Sequence, residues 1–99
     1  MLKKKAIKKS NKTSVVFELG GRDDADQVSL VGEFNEWQLD SNPMKLRKDG
    51  SWATTVRLAK DHSYQFRYVI DGTEWMADND ADALVANPFG GHNSVVDLH

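Results

Sequence analysis

Two tryptophans stand in parts of this 99-residue sequence where a hydrophobic core does not need them. Trp37 lies in an irregular segment rich in turn-forming residues, and Trp75 comes just after the Asp71-Gly72 turn. A tryptophan ring can cover the flat C–H face of a pyranose, which buries apolar surface against the π face of the ring. Stacking on a sugar is therefore the chemistry that these residues could perform, and packing in the core is the alternative for each of them.

Arg67 can supply the hydrogen bonds that sugar hydroxyls need beside such a ring. It belongs to the segment 64–70 (YQFRYVI), in which aromatic and apolar residues alternate with Gln65, Arg67 and Val69. This alternation places Arg67 on the face opposite the core, and only a tight turn separates it from Trp75. A guanidinium offers several donors in one plane, so Arg67 and Trp75 could act on one ligand.

Patterns for catalysis and metal binding are missing from the sequence. The 15 acidic residues lie mostly in loops and turns, whereas glycoside hydrolysis requires two carboxyl groups that face each other across a cleft. There are no cysteines, and the three histidines lack ligand spacing. The segment 78–89 begins like a calcium loop, but Ala83 and Phe89 stand where glycine and glutamate are needed. We therefore expect no enzyme activity, no metal and no cofactor.

The composition is that of one soluble domain. A chain of 99 residues fits a single core, and 39% hydrophobic with 28% charged residues is an ordinary balance. No apolar run approaches the roughly 20 residues that span a bilayer, and no secretory signal is evident. Together with the absence of cysteines, these features favour the cytoplasm and give no reason to expect a membrane partner.

Charge is distributed unevenly along the chain. Residues 1–12 carry six lysines and no acid, whereas residues 13–99 carry seven basic and 15 acidic residues. We expect residues 1–12 to be a flexible basic tail that folding does not require, and residues 13–99 to be the folded domain. Nucleic-acid binding through the tail is a further hypothesis, which we do not favour because the rest of the sequence suggests no basic face.

Short strands separated by turns account for the rest of the chain. The expected strands are 13–19, 27–32, 44–48, 51–58, 64–70, 73–77 and 93–98. Only the segment 80–86 could form a helical turn. This pattern predicts an all-β, immunoglobulin-like antiparallel β-sandwich. The expected core residues are Val16, Val28, Leu30, Trp52, Val56, Phe66, Tyr68, Ile70 and Val95.

An ordered series of short motifs resembles a known family. The motifs are LVGEFNEW at 30–37, PM at 43–44, DGSW at 49–52, YQFRYVIDG at 64–72 and NSVV at 93–96. In this order they resemble the isoamylase N-terminal (early-set) domain and the glycogen-binding domain of the AMP-activated protein kinase β subunit. Both belong to carbohydrate-binding module family 48, and the resemblance runs from about residue 15 to residue 98.

The resemblance implies that residues 13–99 form a carbohydrate-binding β-sandwich domain of immunoglobulin type. Such a domain binds α-1,4-linked glucan, such as glycogen or starch, without catalysis. The implied carbohydrate-binding residues are Trp37, Arg67, Trp75, Phe89 and Asn93. In the kinase-type members two tryptophans stack on glucose, a lysine and an asparagine bind its hydroxyls, and a loop residue presses on the glucan. Here Arg67 replaces the lysine, and Gly91 stands where those members carry a hydroxyl, so that this contact is missing.

A second interpretation of the same residues is protein docking. Some members of the family pack against a branching or debranching enzyme, and exposed tryptophans are common at protein interfaces. In that case the chain is an accessory domain for a glucan-metabolising enzyme. The presence of both tryptophans favours direct glucan binding as the leading hypothesis.

Overall fold

The structure is a computed structural model, and it describes residues 1–88 and 90–99. Within these residues nine strands are present: β1 Leu2–Ala6, β2 Lys12–Leu19, β3 Val28–Gly32, β4 Lys45–Leu46, β5 Trp52–Ala59, β6 Ser63–Ile70, β7 Glu74–Met76, β8 Ala83–Ala86 and β9 His92–Asp97. A single 3-10 turn, Glu33–Asn35, follows β3. Each of the seven expected strands is found, with ends that differ by at most two residues.

The strands form two antiparallel sheets. One sheet has the order β1-β2-β5-β4, and the other has the order β3-β6-β9-β8, with β7 also paired to β6. These orders match the A-B-E-D and C-F-G sheets of an immunoglobulin constant-type domain. The expected all-β, immunoglobulin-like sandwich is therefore confirmed.

The core lies between the sheets and is rich in aromatic side chains. Phe17 and Phe66 are fully buried, and their ring centroids lie 4.9 Å apart in an edge-to-face contact. Edge-to-face geometry is favourable because the positive edge of one ring meets the negative face of the other. The core prediction is confirmed for six residues: Val28, Leu30, Trp52, Phe66, Tyr68 and Ile70.

Two expected core residues were assigned to the wrong face. Val16 and Val95 face outward and are only half-buried, whereas their neighbours Val15 and Val96 are fully buried in the core. Both pairs are Val-Val dipeptides, and a shift of one residue exchanges the two faces of a strand. Val56 faces inward as expected, but it is only partly buried at the border of the core.

The structure differs from the expected N-terminal tail, because Leu2–Ala6 forms β1 and pairs with β2 along its whole length. Leu2 packs against the core, and Lys4 Nζ donates to the carbonyl of Asp97 at 2.8 Å while pairing with Asp82 on the opposite sheet. These contacts offset the repulsion among the lysines, which was the basis for expecting a tail. That folding does not require residues 1–12 stays a prediction.

The segment 80–86 forms no helical turn. Its second half is β8, which pairs with β9 so that Val85 lies opposite Asn93. β8 is short and carries the exposed Leu84. Pairing with β9 supplies the backbone hydrogen bonds that a single helical turn would have left largely unmade.

Candidate functional site

The candidate site lies on the outer face of the sheet that contains β6. Because β3 occupies one edge of β6, both β7 and β9 pair with the other edge. β9 pairs with residues 63–66 and β7 with residues 68–70, so Arg67 lies where these two strands meet. The strand periodicity places Arg67, Trp75 and Asn93 on the same face.

This face has an apolar floor. Val31 lies opposite Arg67 in the strand pairing, and Val69 lies opposite Trp75. Both valines face away from the core between the sheets, yet they are only 0% and 1% exposed. Their burial shows that the polar and aromatic side chains of this face are packed over them rather than extended into solvent.

A depression of about 650 Å³ opens over this floor. Its mostly apolar lining consists of Trp37, Arg67, Trp75, Asn87, Pro88 and Asn93. The structure thus brings together four of the five residues that the sequence suggested. The fifth, Phe89, lies outside the described residues.

Trp37 is positioned by the loop that follows β3. Asn35 ties this loop down, because its side chain accepts from the Gly32 N–H and donates to the Leu30 carbonyl, both at 3.0 Å. Glu36 and Trp37 then have φ values of 57° and 60°. Such left-handed conformations cost of order 1 kcal/mol or more for residues with a Cβ, so they persist only where surrounding contacts enforce them.

Gly32 lets this loop approach β6. A Cβ at this position would lie 2.6 Å from the carbonyl oxygen of Gln65 and 2.7 Å from the ring of Phe34. The next residue, Glu33, accepts the backbone N–H of Gln65 at 2.6 Å. The G-E-F-N sequence therefore fixes the Trp37 loop to the strand that carries Arg67.

The hairpin of β6 and β7 positions Trp75. Its turn has positive φ at both Asp71 and Gly72, as the Asp-Gly pair predicted. The Asp71 carboxylate accepts the backbone N–H of Asp26 and of Gln27 at 2.8 and 3.0 Å, which ties the turn to the neighbouring loop.

An ion pair holds the β7 side of this hairpin. Arg22 donates to both carboxylate oxygens of Glu74, the residue before Trp75, at 2.7 and 3.1 Å. The hydrogen bonds from Arg22 lower the pKa of Glu74 below its ordinary value. Such two-point pairing restricts the orientation of both partners.

Arg67 and Trp75 interact directly. The guanidinium carbon of Arg67 lies 5.5 Å from the centroid of the Trp75 ring, and Nη2 donates to the Trp75 carbonyl at 3.2 Å. A cation over an aromatic ring is attracted by the negative π face. Trp75 nevertheless stays 40% exposed, and Arg67 Nε is buried without a hydrogen-bond partner in the part of the chain that the structure describes.

Asn93 completes the polar side of the depression. It lies near the start of β9, is half-buried, and donates from Nδ2 to Gln65 Oε1 at 3.0 Å. Its Oδ1 accepts from Asn87 Nδ2 at 3.4 Å. The site therefore combines two aromatic rings with amide and guanidinium groups, which suits a neutral ligand that has both apolar faces and hydroxyls.

Comparison with known protein families shows to which family the chain belongs. Residues 12–99 match the family described as the glycogen recognition site of AMP-activated protein kinase. The chain belongs to this family. The resemblance inferred from the motifs is thereby confirmed.

The chain is also similar to part of an enzyme. It is 39% identical over 74 residues to the 1,4-alpha-glucan branching enzyme GlgB of Aquifex aeolicus (strain VF5). The match covers 73% of this chain but only 12% of that enzyme.

Sequence reasoning missed two residues of the site in this domain. Asn87 and Pro88 line the depression, although neither was a candidate. They precede Gly90-Gly91 in a turn in which the Asn87 N–H donates to the Gly91 carbonyl at 2.9 Å. The Asn-Pro and Gly-Gly pairs were visible as turn signals, but a turn signal alone does not indicate which surface a turn reaches.

Two features are absent from residues 1–88 and 90–99. No group of three or more histidine, aspartate or glutamate side chains is arranged to hold a metal ion within these residues. The same part of the chain contains no helix with the length and apolar character needed to cross a bilayer.

Proposed function

We propose that this chain binds α-1,4-linked glucan without catalysis, through stacking of sugar rings on Trp37 and Trp75. The observation that carries the proposal is the convergence of four residues from separate segments on one depression. The family description supports glycogen as the ligand, and the name of the similar enzyme supports an α-1,4-linked glucan.

The remaining residues of the site bind the rim of the sugar. Arg67, which lines the depression, can donate to a hydroxyl through its guanidinium group, and the amide of Asn93 can donate and accept. Phe89 supplies a further apolar contact with the glucan, as the family resemblance implies.

The expected affinity is modest. Two stacked rings that each bury roughly 100 Å² contribute about 5 kcal/mol at ~25 cal/mol per Å². Each hydrogen bond to a hydroxyl replaces one to water and adds about 1 kcal/mol. Ordering the sugar costs at least about 4 kcal/mol. With about three such bonds, one from Arg67 and two with Asn93, the remainder is roughly 4 kcal/mol. This corresponds to a Kd on the order of 1 mM, which suits a domain that meets many sites along one polymer.

Docking to a glucan-metabolising enzyme is the second candidate function. It is favoured by the similarity to a short part of a branching enzyme, in which a related segment belongs to the same chain as the rest of the enzyme. On this proposal Trp37 and Trp75 are protein contacts. Residence in the cytoplasm, and the absence of nucleic-acid and membrane partners, stay predictions.

A titration separates the two candidates. Maltoheptaose or a cyclic α-1,4-glucan is added while tryptophan fluorescence and heat are recorded, with cellohexaose as the β-linked control. We expect saturable binding of the α-linked sugars and at least tenfold weaker binding of cellohexaose. If millimolar maltoheptaose gives neither heat nor a fluorescence change, glucan binding is wrong and enzyme docking replaces it.

A further inference from the structure

A chain of hydrogen bonds runs from the 87–91 turn to β6 along the depression. The backbone N–H of Gly91 donates to Asn87 Oδ1 at 3.1 Å. Asn87 Nδ2 donates to Asn93 Oδ1 at 3.4 Å, and Asn93 Nδ2 donates to Gln65 Oε1 at 3.0 Å. Three side-chain amides are thus connected in series, and the first of them accepts the backbone N–H of Gly91.

The donor-to-acceptor direction of this series of hydrogen bonds is fixed by the backbone N–H of Gly91. A backbone N–H can only donate, so Asn87 must present its oxygen to Gly91. Asn87 then presents its NH₂ group to Asn93, which must in turn present its oxygen to Asn87 and its own NH₂ group to Gln65. A flip of any one amide would place two donors or two acceptors against each other.

The same turn leaves room for Asn87 in this position. Gly91 has no side chain, and a Cβ there would lie 3.3 Å from Asn87 Nδ2. The Asn87 N–H also donates to the Gly91 carbonyl at 2.9 Å. Backbone and side-chain contacts to Gly91 therefore hold Asn87 where it reaches Asn93.

We infer that Asn87 and Gln65 are positioning residues that fix the orientation of the Asn93 amide toward the glucan. The inference rests on the proposed function. With its two internal partners engaged, Asn93 keeps one N–H and one lone-pair position for a ligand. These match two neighbouring hydroxyls of one pyranose, of which one accepts from Nδ2 and the other donates to Oδ1.

Replacement of Asn87 by aspartate tests the inference with little change in shape. Asn87→Asp keeps the oxygen that accepts the Gly91 N–H. It removes the donor to Asn93 and places a carboxylate oxygen opposite Asn93 Oδ1 instead. We expect the Kd for maltoheptaose to rise about tenfold while the Tm stays unchanged. Asn79→Asp, an exposed position outside the depression, is the matched control for added charge and leaves the Kd unchanged.

A double-mutant cycle shows whether Asn87 acts through Asn93. Maltoheptaose affinity is measured for the wild type, Asn87→Asp, Asn93→Ala and the double variant. We expect Asn87→Asp to cost nothing further when Asn93 is already alanine. If it costs the same factor in both backgrounds while the wild type binds, the inference is wrong and the proposed function stands. Absence of binding in the wild type overturns both.

The side-chain NH₂ resonances of Asn93 in a ¹⁵N–¹H spectrum provide a second measurement that does not depend on sugar affinity. They are recorded without ligand in the wild type and in Asn87→Asp. We expect both resonances to shift in the variant because the acceptor role of Oδ1 is lost. Unchanged resonances would overturn the inference.

Discussion

The outer faces of the two sheets carry different chemistry. The aromatic face, on the sheet that contains β6, carries Trp75, Arg67 and Asn93, and the Trp37 loop borders it. The cationic face is the outward side of the β1-β2-β5-β4 sheet, where the exposed residues Lys3, Lys5, Lys45 and Arg57 surround Ser14, Val16 and Thr55. The first face is concave and mostly neutral, and the second has no aromatic residue among these positions.

Glu18 is the acidic residue of the strands that form the cationic face. Its charged neighbours distinguish this face from the aromatic face. Its carboxylate lies 3.5 Å from Lys3 Nζ and also pairs with Arg47. Partial burial raises the pKa of Glu18, but the hydrogen bond from Arg47 and the charge of Lys3 outweigh it, so that the pKa is lowered. Salt weakens the charge pairs of the cationic face, because dissolved ions screen Coulombic interactions. Stacking and hydrogen bonds to a neutral ligand on the aromatic face are not weakened in this way.

The largest expected effect comes from the core that supports both faces. Trp52 is only 6% exposed, and its indole N–H donates to the Arg22 carbonyl at 2.9 Å. Trp52→Ala should lower the free energy of unfolding by about 3–5 kcal/mol, as for other buried aromatic residues. Urea denaturation measures this loss, with Trp52→Phe as the milder control. A loss below about 1 kcal/mol would show that Trp52 is not part of the core.

Trp75→Ala should remove glucan binding and leave the fold intact. The ring is 40% exposed and lies outside the core between the sheets, so its removal costs less stability than that of the buried Trp52. Calorimetry with maltoheptaose measures binding, and urea denaturation of the same sample measures stability. A Kd within about threefold of the wild-type value, which corresponds to roughly 0.7 kcal/mol, would show that stacking on Trp75 does not contribute to binding.

Charge reversal on the cationic face should leave glucan binding unchanged. The triple variant Lys3→Glu, Lys5→Glu and Arg57→Glu changes exposed positions on the side of the sandwich opposite the depression. We expect its Kd for maltoheptaose to stay within about twofold of the wild type, and the Kd of both proteins to be insensitive to salt between about 0.05 and 0.5 M. A large change in either quantity would mean that the cationic face takes part in binding.

The smallest expected effect concerns the ion pair beside Trp75. Because Arg22 lowers the pKa of Glu74, the pair stabilises the fold above the ordinary pKa of 4.5, and this contribution is lost as the pH falls through the lower folded-state pKa. The Tm of Glu74→Gln should therefore fall less steeply below about pH 4.5 than that of the wild type. Parallel Tm profiles of the two proteins between pH 3 and 6 would show that the pair adds no stability.

Sequence alone predicted the aromatic face better than the cationic face. Alternation in the 64–70 segment and the Asp71-Gly72 turn placed Arg67 and Trp75 correctly, because both signals are local. Asn87 was missed because its position in the depression depends on how the backbone that follows β8 folds back on β9. β1 was missed because its lysines resemble a solvated tail, whereas the strand forms by pairing with an edge that no local pattern reveals.

Chemical-shift mapping with maltoheptaose tests most directly whether the aromatic face is the glucan-binding face. We expect the indole resonances of Trp37 and Trp75 and the amide resonances around Arg67 and Asn93 to shift during the titration. The indole resonance of Trp52 and the backbone resonances of β1, β2 and β5 should stay in place. Shifts centred on β1, β2 and β5, with the Trp37 and Trp75 indole resonances unchanged, would show that the aromatic face is not the glucan-binding face.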